Sequence, residues 1–234
     1  MLSNLKKSYI VIFFVILIWS VIHPKDYFTW FLEVIPAIIG FVVLSVTYKK
    51  FHFSNFTYAV ILFHCIILFA GGKYTYAENP LFEYLKELLN QDRNNYDKLG
   101  HLMQGFGPTL VARELFIKLE VFNKEKWMPF VLMSITMFIS AIYEIIEWFA
   151  ALVVGESADA FLGTQGYIWD TQSDMLLAFI GSVIAIVLFS KWQDRAILEM
   201  RNEKNALYFF IYQRFESIGR IKILIFFEKF ILAK

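Results

Sequence analysis

The sequence predicts an all-α, polytopic membrane protein, a bundle of about six transmembrane helices, and three observations lead there. Hydrophobic residues make up 58% of the 234 and charged residues only 18%, with 26 Phe, more apolar side chain than a water-soluble domain of this size buries. The apolar residues gather in runs close to the length of about 20 that carries a helix across a bilayer. The Lys and Arg residues stand in short clusters between those runs. They form no basic face, and with a formal net charge of +1 this excludes a nucleic-acid-binding protein.

Lys6 and Lys7 precede the first run, Tyr9 to Ile22. No small-x-small cleavage site follows, so an uncleaved first helix is expected and not a removed signal peptide. Trp30 to Thr47 and Phe56 to Gly71 are the next two spans, and the lone cysteine, Cys65, reads as core filler in the second of them. Met128 to Val154 and Met175 to Ser190 complete five runs nearly free of charge. A sixth segment, Leu99 to Ile117, contains His101, Gln104, Arg113 and Glu114, and hydropathy alone leaves it marginal. Charge topology argues for it. Lys6 and Lys7, Lys49 and Lys50, the Lys118, Lys124 and Lys126 group, and Lys191 with Arg195 share one side only if this segment crosses, and the positive-inside rule makes that side, with both termini, cytoplasmic. Arg113 and Glu114 then read as an interfacial, snorkelling charge pair near the inner end.

The other side holds the turn at Lys25 and the loops 72–98 and 155–174. In the first loop Leu81, Tyr84, Leu85, Leu88 and Leu89 repeat at helical spacing, which predicts a helix lying on the membrane surface. Residues 1–195 form the membrane domain. Residues 196–234 form a tail, whose Ile221 to Lys234 suits an interfacial amphipathic helix.

A charged group inside a span costs roughly 2.5 to 3.5 kcal/mol on insertion scales, so each one is a candidate functional residue. Asp97 and His101 are four apart at the outer start of the fourth span, with Gln104 extending their face inward. Glu144 and Glu147 are three apart in the outer half of the fifth, and Asp170 and Asp174 four apart where the sixth begins. His64 lies roughly 10 Å below the outer surface at 1.5 Å rise per residue, at a similar depth. Carboxylates joined by imidazoles suit a divalent metal ion, here His64, His101, Glu144, Glu147 and Asp174. The same set serves equally as acid and base, with His101, Glu144, Glu147 and Asp174 in catalytic roles. Bland readings stand beside these: helix caps for Asp97, Asp170 and Asp174, and interhelical hydrogen bonding for His64, His101 and Gln104. The loop from Phe161 to Gln172, with Gly163 and Gly166, is shaped to fold over the pocket. It would present Thr164, Gln165, Trp169, Asp170 and Gln172 to a ligand, although Trp and Tyr also serve as interface anchors.

The strings Gly71-Gly72-Lys73-Tyr74-Thr75-Tyr76-Ala77 and Arg93-Asn94-Asn95-Tyr96-Asp97-Lys98-Leu99-Gly100-His101, with Gln104-Gly105-Phe106, Tyr143-Glu144, Glu147-Trp148 and the stretch from Phe161 to Met175, resemble the YjdF-type bacterial inner-membrane proteins. The resemblance covers about Tyr9 to Arg195 and implies a multi-pass protein of the bacterial cytoplasmic membrane. More distantly, Asp97-Lys98-x-x-His101 with a Glu in the next span and Asp174 followed by Gly181 resembles the VanZ-like membrane proteins, although Ala178 stands where an Asn is usual. That likeness implies, by analogy, a role near envelope lipid or peptidoglycan precursors.

Three functions compete. One is an enzyme or binding site for an envelope lipid or small amphiphile. The second is a cation- or proton-coupled transporter, against which stands a polar set that ends in the outer half of the spans. The third is a structural or assembly protein whose polar groups only pack helices. The bilayer itself is the one partner expected in every case.

Overall fold

The structure, a computed structural model, describes residues 3–154 and 165–216, and among these it consists of helices and turns without a strand. The helices are α1 (Asn4–Val21), α2 (Tyr27–Thr47), α3 (Asn55–Tyr74), α4 (Pro80–Leu88), α5 (Tyr96–Lys118), α6 (Met128–Val154), α7 (Asp170–Ile184) and α8 (Ser190–Glu216). Short 3-10 turns occupy Tyr76–Glu78 and Glu125–Trp127, and a π turn, Ala185–Phe189, joins α7 to α8.

Five stretches are long and apolar enough to cross a membrane: Asn4–Val21, Tyr27–Thr47, Asn55–Tyr74, Glu125–Val153 and Asp170–Asn202. They contain the five apolar runs of the sequence to within a residue, and most start earlier because caps, not hydropathy, set helix ends. Ser3, Asp26 and Ser54 each accept the backbone N–H three residues on, from Lys6, Thr29 and Thr57. The last run differs most, since α7 begins at Asp170 and not at Met175. Its first two turns therefore carry both aspartates into the bundle. Residues such as Val46, Phe63, Phe130, Phe138 and Val187 lie more than 50% exposed on the outer faces, as lipid-facing side chains must.

Helix α5 is long enough to span but too polar to meet the same hydropathy criterion. Its surroundings make up the difference, because it packs against α3, α6 and α7 and turns its polar residues toward them. The approach to α7 is backbone to backbone. A Cβ on Gly105 would strike the Ala178 carbonyl and one on Gly181 the Leu102 carbonyl, so the two helices meet where only small residues stand. The Tyr76 ring fits a slot between Gly71 of α3 and Gly100 of α5 in the same manner.

A second layer is apolar. Phe13, Val34, Ala37, Cys65 and Phe69 join α1, α2 and α3 into one core, where Cys65 is buried as a filler. Lys73 ties the turn at one end of these helices: its Nζ donates to the carbonyls of Trp19 and Ile22 and sits over the Trp19 ring, while Lys25 pairs with Glu78. Helix α4 starts with Asn79 capping the Leu81 N–H and Pro80 in the first turn. Leu81, Tyr84, Leu88 and Leu89 point away from the protein, each at least 60% exposed, and Phe82 anchors the helix edge-on to Tyr96. An apolar face turned outward on a short helix beside membrane spans is the form an interfacial helix takes.

Arg113 and Glu114 do not form the interfacial pair expected of them. Glu114 is fully buried and accepts from the Ser54 N–H at 2.6 Å, the Ser54 hydroxyl at 2.7 Å and the Thr57 hydroxyl at 2.6 Å, so it seals the start of α3. Arg113 instead donates to Gln193, whose amide in turn reaches Thr57 and the Leu110 carbonyl. Neighbours in sequence point about 100° apart on a helix, and the two side chains accordingly face different partners.

The chain divides into two compact units, 1–193 and 194–234, and the described part of the second is helix α8. The amphipathic helix expected at Ile221 to Lys234 lies outside the described residues.

Candidate functional site

The end of the bundle that carries the connections from α3 to α5 and from α6 to α7 also carries the acidic groups. Helical register puts them there: Asp97 and His101 are one turn apart on α5, Tyr143, Glu144 and Glu147 form one stripe on α6, and Asp170 and Asp174 are one turn apart on α7. His101, 5% exposed, stands between the stripes. Its Nε2 lies 3.2 Å from Asp97 Oδ1 and 3.9 Å from Asp174 Oδ2, and its Nδ1 lies 3.8 Å from Glu144 Oε1 and 3.4 Å from Gln104 Oε1. Two sets of side chains bring possible metal-ligating atoms within 4.8 Å of one another, Asp97–His101–Asp174 and His101–Glu144–Glu147.

Two cations hold the rim. Lys98 Nζ donates to Asp174 at 2.6 Å, Asp170 at 2.8 Å and the Ser173 hydroxyl at 2.7 Å, and Arg93 Nη1 donates to Asp170 at 2.7 Å. Asp170 opens α7 with no capping bond of its own, so it serves as an ion-pair partner and not as the cap the sequence suggested. Asn95, not Asp97, occupies the cap position of α5. Outside the spans, the Lys86 ammonium beside Glu83, joined by the Asn94 amide, holds that exposed carboxyl below the usual carboxylate range.

A cavity of about 180 Å³ opens against this cluster. Asp97, His101, Gln104, Tyr143 and Glu147 line it from α5 and α6, Glu33 and Tyr76 from α2 and the turn after α3, and His64 from α3. Pro36, Leu68, Pro108 and Ile139 supply apolar wall. Pro36 and Pro108 each remove a backbone donor inside a helix, a defect that spans tolerate where the freed carbonyl borders a polar cavity. Several buried polar atoms around the cluster have no hydrogen bond, among them Glu33 Oε2, Asp97 Oδ2 and Glu144 Oε1.

Comparison with known proteins places the chain. A family described as a predicted membrane protein, DUF2238, matches residues 5–195. The chain belongs to that family. Inner membrane protein YjdF of Escherichia coli (strain K12) is 42% identical over 182 residues, covering 78% of this chain and 87% of the relative. No solved structure shows significant similarity. The DUF2238 match takes in every residue of the cluster and ends shortly after the start of α8, and none of these comparisons supports the more distant VanZ-like resemblance.

Several expectations need correction against this family member's geometry. His64 lines the cavity but belongs to neither possible ligand set, because its ring is packed on Gly107, deeper along α3 and α5. Trp169, 58% exposed, and Gln172 point outward, since Gln172 stands two residues from both aspartates and so on the far face of α7. Gln165 is occupied with the backbone: its amide accepts from the Asn94 N–H at 3.0 Å and donates to the Asn94 carbonyl at 2.8 Å, latching the loop to the start of α5. Thr164 and Gly163 lie outside the described residues. Polar groups also continue past the half of the bundle that carries the acidic cluster, through Ser140, the Thr109–Thr136 pair at 2.7 Å, Ser182 and Gln193, all buried.

Glu33 escaped the sequence reading. It lies in a run that reads as charge-free around it, and its only signal was the insertion penalty of an isolated carboxyl. Tyr76 and Tyr143 escaped because a tyrosine near a membrane surface ordinarily reads as an anchor.

Proposed function

We propose that the protein is a six-span enzyme of the bacterial cytoplasmic membrane that acts from the extracytoplasmic side on an envelope lipid or small amphiphile, with a divalent ion held by His101, Glu144 and Glu147. One observation carries this reading. Glu144 Oε1 is buried without a hydrogen bond 3.8 Å from His101 Nδ1, and Glu147 joins the same group. Asp97 Oδ1, 3.2 Å away, is placed to accept from the Nε2–H. A neutral imidazole carries one N–H, so Nδ1 then offers a lone pair toward two carboxylates with no donor between them, an arrangement that attracts a cation. The mixed nitrogen and oxygen set suits Mn, Fe or Zn better than Ca.

Such an ion supplies Lewis-acid polarisation and an activated water at neutral pH. The protein does the rest: Asp97 fixes the imidazole tautomer, Lys98 and Arg93 hold Asp170 and Asp174 at the rim, and Gln104 with Tyr143 meets the ligand in the cavity. The basic clusters between spans support the six-span topology with both termini inside. Elemental analysis by mass spectrometry of detergent-purified protein tests the metal. Near-stoichiometric metal in the wild type, lost in His101→Ala and Glu147→Gln, is the expected result, and Asp97→Asn should weaken metal affinity by about 10- to 100-fold. Metal content no higher than in the variants rejects the reading.

The Nδ1 to Gln104 Oε1 contact at 3.4 Å favours one alternative, an imidazolium balanced by Asp97 and Glu144 in a proton-coupled carrier, and the buried polar groups that continue past the cavity belong to the same picture. Proton uptake by metal-free proteoliposomes, abolished in Glu147→Gln, would favour it.

A further inference from the structure

Helix α2 contributes a carboxyl group that the metal reading leaves unused. Glu33 is 1% exposed and lines the cavity. Tyr76 and Tyr143 line the same cavity, and Glu33 Oε2 is buried there without a hydrogen bond. A carboxyl group at this depth with a bare oxygen calls for a donor or a cation.

The rest of the lining says which kind. Among the described residues the cavity wall contains three acids, Glu33, Asp97 and Glu147, two histidines and an amide, and no Lys or Arg. Lys98 and Arg93 are engaged with Asp170, Asp174 and Asp97 at the rim. Beside Glu33 and Asp97 an entering phosphate or carboxylate would meet like charge with no Lys or Arg in the wall to balance it, whereas an ammonium there meets partners. At a water's share of about 30 Å³, the cavity holds about six water-sized groups, enough for a small head and its first methylenes. Pro36, Leu68, Pro108 and Ile139 give those methylenes an apolar wall.

We infer that the cavity binds the primary ammonium head of an amphiphile, with Glu33 Oε2 as its ion-pair partner. The inference rests on the reading of this cavity as a ligand site and names the ligand's chemistry. A quaternary ammonium carries no N–H and would leave Oε2 without its hydrogen bond, so the primary amine is the better match.

Calorimetric titration of the full chain in detergent with hexylammonium, hexyltrimethylammonium, hexanol and hexanoate tests it. Wild type should bind hexylammonium at least about tenfold more tightly than the other three, and Glu33→Gln should lose about tenfold or more of that affinity. Unchanged affinity in a folded Glu33→Gln, or wild-type binding of hexanol, hexanoate or the quaternary amine as tight as that of the primary amine, overturns the inference. The wild-type order decides alone if the variant does not fold. Metal content is measured on the same samples: metal without amine selectivity overturns this inference and leaves the metal site standing, and amine selectivity without metal does the reverse.

Discussion

Glu114 and Lys98 show how differently two charged residues act inside one bundle. Glu114 satisfies three donors at the start of α3 and does not line the cavity at the acidic cluster, so its work is structural. Glu114→Ala orphans those donors and should lower stability by about 3 kcal/mol, read as the thermal unfolding midpoint in detergent, with metal content unchanged in the protein that folds. Lys98 neutralises two aspartates at the rim of the site. Lys98→Met leaves Asp174 a buried charge without its ion-pair partner and should destabilise by about 3 to 5 kcal/mol, while Lys98→Met combined with Asp174→Asn should recover a large part of that loss. A full loss in the double variant would show that Lys98 acts through something other than its charge.

At the scale of elements, the contact between α5 and α7 decides whether the acidic stripes meet at all. Gly105 and Gly181 let the two backbones touch, and a side chain on either would push α7, with Asp170 and Asp174, away from His101. Gly105→Ala should therefore reduce folded yield. A Cβ on Gly40 of α2 would meet nothing within 4 Å, so Gly40→Ala should leave stability within about 0.5 kcal/mol. Equal behaviour of the two variants in a thermal-shift assay would remove the close crossing from the account. Helical phase explains the mixed fortune of the α6 to α7 loop residues. Asp170 and Asp174 share a face, and Gln172 necessarily takes the opposite one.

For the whole molecule, reporter fusions on either side of α5 test whether it crosses the bilayer. Alkaline phosphatase fused after Gln91 should be active and, if α5 spans, the same enzyme fused after Asn123 should be inactive. Activity at both sites would reduce the spans to five and place the two loops on one side. A helix this polar can cross a bilayer when other helices surround it. Packed among α3, α6 and α7, α5 meets protein where an isolated helix would meet lipid, so its own hydropathy is a poor guide to its position.

The sequence by itself determined what depends on neighbours along the chain: the membrane class, the five apolar spans, the surface helix α4, and the pairing of Asp97 with His101 and of Glu144 with Glu147 on single helix faces. Those features follow from helical periodicity and transfer free energy, which act over a few turns. Which faces meet is set by packing between helices far apart in the chain. That packing brought Glu33 and the two tyrosines to the cavity, left His64 out of the ligand sets, turned Trp169 and Gln172 outward, and sent Glu114 to the Ser54 cap. The reason is that a helix's rotation about its axis is set by packing against other helices, and here by glycines whose importance appears only when a second backbone lies against them.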